Sequence, residues 1–126
     1  MEKIHKLLVI DDDEETLAAL CDFLRKKNYD VVSASNGQDG LNLLEKEEGG
    51  FDLVITDIVM PDLSGVWVIA SVKKKYPNIS AIAITGWGEQ PETLATEAQA
   101  DIVLRKPFKL VELDKTITDL LFKQNN

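Results

Sequence analysis

Four places in the sequence set a reactive side chain directly behind a short apolar run. Leu7-Leu8-Val9-Ile10 is followed by Asp11-Asp12-Asp13, and Leu53-Val54-Ile55-Thr56 by Asp57. Ala81-Ile82-Ala83-Ile84 is followed by Thr85, and Ile102-Val103-Leu104, beyond Arg105, by Lys106-Pro107. Two carboxylates held ~4 Å apart repel by about 4 kcal/mol at an effective dielectric of ~20. A protein tolerates such a pair when a dication neutralises it or when one acid takes up a proton. Oxygen donors with no His or Cys beside them favour magnesium or manganese over zinc. A hydroxyl and an ammonium added to this set suit phosphoryl transfer, in which metal and amine neutralise the transferring oxygens and the hydroxyl donates to one of them. Asp57 is then the candidate nucleophile, a carboxylate able to form an acyl phosphate.

Each residue taken singly has a plainer explanation. Asp13 can cap the helix that follows it, Thr85 can be a turn residue, and Lys106 can be a solvated surface cation. Capping does not account for three successive acids together with Asp57 on a neighbouring strand. Lys106-Pro107 closes a strand expected to lie deep in the sheet, where an amine would pair with the acids or grip an anion.

The acids, hydroxyl and amine converge only if the apolar runs are strands side by side. Continuous apolar runs such as Leu7–Ile10 suit strands buried on both faces. Between them lie amphipathic segments. Leu17, Leu20, Cys21 and Leu24 recur at helical spacing, with Glu14, Glu15, Arg25 and Lys26 opposite. Val31–Ala34 reads as a second strand, and Asn36-Gly37 opens a helix through Leu41 and Leu44 that ends near Gly49-Gly50. Val66, Ile69, Val72 and Tyr76 mark a third helix stopped by Pro77. A polar helix is expected over Pro91 to Ala98, and Leu110, Leu113, Ile117, Leu120 and Leu121 mark the last. Five βα units in succession argue an α/β fold, a parallel sheet with helices on both faces and right-handed crossovers. In such a sheet ligands bind beyond the carboxyl ends of the strands, where all the reactive residues lie.

Composition narrows the function further. The chain has 126 residues, 14 Lys+Arg against 22 Asp+Glu and a net charge of −8. That length gives one domain able to bury a core without disulfide or structural metal. Clustered Lys/Arg would be needed to neutralise phosphates, so direct nucleic-acid binding by this domain is not expected. A single cysteine, Cys21, and a single histidine, His5, exclude an internal disulfide, a Cys-based zinc site and a His-rich metal site. The residues before Asp11 are too few for a signal-peptide core or membrane span, and a soluble, intracellular chain is expected. Cys21 falls on the apolar stripe of the first helix and reads as core, and His5 reads as a surface residue. Trp67 faces opposite Ile69 and Val72 and should be exposed, a candidate contact for a partner or a second copy.

With these residues in view, the chain resembles the response-regulator receiver domains of two-component signalling, over nearly its whole length from Leu7 to Leu121. The likeness rests on Val9-Ile10-Asp11-Asp12, on Phe51 through Pro61 with Asp57 and Gly65, on Ile84-Thr85-Gly86 and on Lys106-Pro107-Phe108. It implies a flavodoxin-like, doubly wound five-stranded parallel sheet in the order 2-1-3-4-5 with five helices. The domain would occupy residues 1–126, with its core at about 6–122. Asp57 would accept a phosphoryl group from a phosphohistidine of a sensor histidine kinase or a histidine phosphotransfer protein. Asp12, Asp57 and the backbone carbonyl of Val59 would bind Mg²⁺ (or Mn²⁺) directly, and Asp11 through a water. Lys106 would contact the phosphoryl oxygens, and Thr85 would swing toward them and move the fourth and fifth strand-helix units. The expected product is a cytoplasmic switch rather than a conventional enzyme, assisting its own phosphorylation and slow dephosphorylation. A stand-alone regulator, a relay intermediate and a receiver covalently linked to an effector or kinase domain all fit the resemblance, the linked receiver being favoured, and a weak homodimer is compatible with it.

Three departures stand out. Val103 replaces the usual aromatic three residues before the lysine, so a Thr–aromatic coupling cannot operate in its usual form. Gln99 replaces a usual glycine. Val59 and Trp87, two residues after Asp57 and Thr85, are apolar and cannot orient an attacking water, which predicts slow self-dephosphorylation. Other classes fit less well. A haloacid-dehalogenase-type hydrolase would resemble its relatives in a second Asp where Val59 stands. A flavodoxin-like electron carrier would have its phosphate repelled by Asp11-Asp12-Asp13. A degenerate, phosphorylation-independent receiver is argued against by the intact Asp11, Asp12, Asp57, Thr85 and Lys106.

Overall fold

The computed structural model describes residues 3–86 and 98–124. Its strands are β1 (Lys6–Ile10), β2 (Asp30–Ala34), β3 (Leu53–Asp57), β4 (Ser80–Thr85) and β5 (Ile102–Arg105). Its helices are α1 (Glu14–Lys26), α2 (Gly37–Lys46), α3 (Gly65–Lys75) and α4 (Leu110–Gln124). All strand pairings are parallel, in the order β2-β1-β3-β4-β5, as the family resemblance implies. Five helices were expected and four lie among the described residues. The helix expected over Pro91 to Ala98 falls, apart from Ala98, outside them.

The period of two along each strand sorts side chains onto two faces. Leu7, Val9, Leu53, Ile55, Ile82 and Ile84 pack with Leu17, Leu20, Cys21 and Leu24 of α1 and Leu113, Ile117 and Leu121 of α4. Leu8, Ile10 and Val54, their alternates, pack with Leu44 of α2 and Val68 and Val72 of α3. A smaller cluster of Ile58, Ile69, Ala81, Ala83 and Ala98 receives Val103. Strands enclosed by helices on both faces need apolar residues at every position, and β3 and β4 are buried throughout.

The strand ending in Lys106 lies at the sheet margin rather than deep within it. β5 pairs with β4 alone, and both its end residues are exposed. α2 stops at Lys46, short of Gly49-Gly50, because Glu48 (φ 53°) and Gly49 (φ 71°) turn the chain left-handed. Gln99 has φ 63°, a conformation in which a Cβ is crowded and glycine is not. Gln99 therefore holds this left-handed turn under local strain.

Candidate functional site

Register brings the reactive residues to one edge. Asp11 follows β1, its N–H donating to the Ala34 carbonyl at 3.2 Å. Asp57 ends β3 opposite Ile84, and Thr85 ends β4 opposite Arg105. The Lys106 N–H donates to the Thr85 carbonyl at 2.8 Å, which sets Lys106 one step beyond the sheet. From there its Nζ spans β4 and donates to Asp57 Oδ2 at 3.3 Å. A marginal strand thus delivers the amine expected of a deep one, because the lysine stem is long enough to reach inward.

Carboxylate oxygens of Asp11, Asp12 and Asp57 lie within 4.8 Å of one another. Asp11 and Asp57 are buried, at 1% and 8% exposure, and Asp12 is exposed. Asp11 Oδ1 accepts the Asp13 N–H at 2.9 Å, but its Oδ2 is buried with no hydrogen-bond partner among the described residues. Burial pushes the Asp11 carboxyl above its ordinary value, against the Asp13 N–H that lowers it and with the Asp57 charge adding to the rise. The buried Thr85 hydroxyl is likewise without a partner among the described residues. Two buried orphans beside a partly compensated anionic cluster are costly in a finished core, at about 1–3 kcal/mol each.

A hard divalent cation fits this donor set. The donors are all oxygens, one is orphaned, and all three carboxylates bring an oxygen within 4.8 Å of the others, a set that would hold a hard dication.

Gly65 explains itself sterically. A Cβ there would stand 2.0 Å from the Asp57 carbonyl oxygen and 2.8 Å from Ile58 Cα. Its absence lets α3 start against the chain leaving Asp57, where the Gly65 N–H donates to the Ile58 carbonyl at 2.8 Å.

Asp13 occupies the N-cap position of α1, but its side chain takes no hydrogen bond from the helix backbone and accepts instead from the Thr16 hydroxyl. Val59 lies after Asp57 and is 59% exposed, and Val103 is half-buried. Trp87 lies outside the described residues. Away from the site, Trp67 is 60% exposed and Cys21 is core, as expected. His5 is not the surface residue expected: its ring is half-buried, with Nδ1 3.7 Å from Asp52 Oδ2.

A doubly wound sheet thus carries acids at two strand ends, a buried hydroxyl at a third and an amine beyond a fourth. The sequence model of the response regulator receiver domain family matches residues 7–118, and the chain belongs to that family, a class of signalling switch in two-component systems. A response regulator receiver domain protein from Clostridium thermocellum shares 32% identity and superposes with TM-score 0.90, covering 97% of this chain and 98% of that one. A response regulator from Thermotoga maritima, solved in complex with Mg(2+)-BeF, is 31% identical with TM-score 0.82, covering 93% of this chain and 99% of that one. The sensor kinase CckA of Brucella abortus (strain 2308) is 29% identical over 120 residues, 94% of this chain and 13% of that protein. Other curated relatives are transcriptional regulatory proteins, of which the chain spans 26–51%. No helix among the described residues is long and apolar enough to cross a membrane.

Proposed function

We propose that this chain is a cytoplasmic phosphoacceptor switch in which Asp57 takes a phosphoryl group from a phosphohistidine of a sensor kinase or a histidine phosphotransfer protein. The observation that carries the reading is the Lys106 ammonium 3.3 Å from an Asp57 carboxylate packed against Asp11 and Asp12. An Asp57 carboxylate oxygen attacks phosphorus, the P–N bond to the donor breaks, and the imidazole leaves with the electron pair and takes up a proton. Lys106 neutralises charge on the transferring oxygens. Asp11, Asp12, Asp57 and the Val59 carbonyl are the groups that would hold Mg²⁺, which supplies charge neutralisation at the phosphoryl oxygens when bound.

Among the described residues the Thr85 hydroxyl has no hydrogen bond to give up when it turns toward the new phosphoryl group, and the new bond biases the switch. Movement then passes through β4 to the cluster containing Ala83, Ala98 and Val103, without the family's aromatic. The output surface so shifted serves a partner or a linked effector or kinase domain. The acyl phosphate is long-lived because neither Val59 nor Trp87 offers a group to orient water. Timing label loss from wild type and Trp87→Ala checks this: a slow wild type and a faster variant are expected.

Incubation with acetyl phosphate and Mg²⁺, read by intact mass, tests the central step. Wild type is expected to gain one phosphoryl group and Asp57→Asn none. Uptake by Asp57→Asn equal to wild type would remove the reading.

A further inference from the structure

The first turn of α2 is capped from two sides. Locally, the Asn36 side chain accepts the Asp39 N–H at 2.8 Å. The N–H groups of Gly37 and Gln38 instead donate to the Asp62 carboxylate, at 3.3 and 3.1 Å, from 25 and 24 residues away in the sequence. Asp62 lies in the loop between β3 and α3. Together the two side chains satisfy three of the donors that a helix start leaves open.

A second contact brings the same two segments together. A Cβ on Gly37 would stand 2.8 Å from the Leu63 carbonyl oxygen and 3.0 Å from Leu63 Cβ. The bare glycine makes room for the loop to descend on the helix. The backbone N–H of Gln38, foremost, holds the Asp62 carboxyl below its ordinary value, and its negative charge complements the positive end of the helix dipole.

The loop is also tied close to Asp57. Gly65 N–H and the Ser64 hydroxyl both donate to the Ile58 carbonyl, at 2.8 and 3.4 Å. Val59 lies between this tie and Asp62. A helix start needs a cap, and Asn36 already supplies one. A second cap from a distant loop fixes the loop.

We infer that Asp62 is a positioning residue, whose docking on the first turn of α2 fixes the loop carrying Val59 and thereby sets the affinity for the divalent cation. This rests on reading Asp11, Asp12, Asp57 and the Val59 carbonyl as the cation site. It also makes α2, which contributes no ligand, part of the support for that site.

Calorimetric titration of the full chain with MgCl₂, well below its unfolding temperature, tests it alongside amide exchange at Gly37 and Gln38 without metal. Asp62→Ala is expected to bind Mg²⁺ about tenfold more weakly than wild type, with faster exchange at both amides. Asp62→Asn, which keeps one acceptor oxygen, should fall between. Gln38→Ala, which keeps its backbone N–H, should match wild type. Asp62→Ala binding Mg²⁺ with wild-type affinity while both amides exchange faster would reduce Asp62 to a helix cap and overturn the inference. If Asp62→Ala does not fold, equal affinity in Asp62→Asn and wild type overturns it. A wild type that binds Mg²⁺ while the variants are unaltered removes the inference and leaves the site reading standing. A wild type that binds none removes both.

Discussion

The two ends of β3 carry acids in opposite electrostatic conditions. At the lower end, Asp52 accepts from Lys3 Nζ at 2.7 Å and from the Lys6 N–H at 2.8 Å, with His5 beside it. Burial pushes the Asp52 carboxyl up, but those hydrogen bonds and the Lys3 and His5 charges outweigh it and hold the carboxyl below its ordinary value. Asp101, before β5, is likewise paired with the Ala81 N–H at 2.7 Å and with Lys73 at 2.6 Å. At the upper end, Asp57 shares one ammonium with a cluster of two further acids, Asp11 holds an orphaned oxygen, and Thr85 an orphaned hydroxyl. At the lower edge both carboxylates are matched by cations and amide donors, and the unpartnered buried atom among the described residues is His5 Nδ1, 3.7 Å from Asp52 Oδ2. At the upper edge the unpartnered atoms are an acid's own oxygen and a hydroxyl beside three clustered carboxylates, and that contrast favours the upper edge as the place where a ligand binds.

Removing an acid from the upper edge should impair chemistry and leave stability intact or improved. After the loss of phosphoryl uptake in Asp57→Asn, the next largest effect is expected for Lys106→Ala. It should slow uptake from acetyl phosphate about 100-fold, measured as initial rate by mass, because one preorganised charge is withdrawn from the transferring oxygens.

Stability should answer in opposite senses at the two edges. Asp52→Asn should lose about 2 kcal/mol in urea unfolding, because hydrogen bonds to a charged group are given up. Asp11→Asn should be more stable than wild type without metal, since a charge disfavoured by burial is removed. The pH dependence follows with its sign. A folded-state pKa below the ordinary 3.8 means that Asp52 contributes stability above that value and loses it as pH falls below it toward the folded value. Asp52→Asn should therefore flatten that part of the stability–pH curve. The smallest effect belongs to Gln99→Gly, which relieves the left-handed turn near the lower edge and should add about 0.5 kcal/mol in the same assay.

Much of this was legible in the sequence. Apolar runs and helical spacing gave the alternation of elements, and strand ends gave Asp11, Asp12, Asp57, Thr85 and Lys106, because in a parallel sheet position along a strand dictates position at the edge. What stayed hidden depends on contacts between distant segments. The marginal place of β5 is not visible in its apolar residues and came only with the strand order that the resemblance implies. The pairing of His5 and Lys3 around Asp52 joins segments nearly fifty residues apart. The Asp62 contact with α2 has no local signal, since Pro61-Asp62 reads as an ordinary turn. Gly65 was visible as part of a motif, but its steric reason needed the Asp57 carbonyl in place.

The most direct test of the account is to incubate wild type with acetyl phosphate, with Mg²⁺ or with chelator, and map the modified residue by proteolysis and mass spectrometry. The account predicts one acyl phosphate, on Asp57, formed with the cation and suppressed by the chelator. A phosphoryl group on another residue, or equal uptake in the chelator, would contradict it.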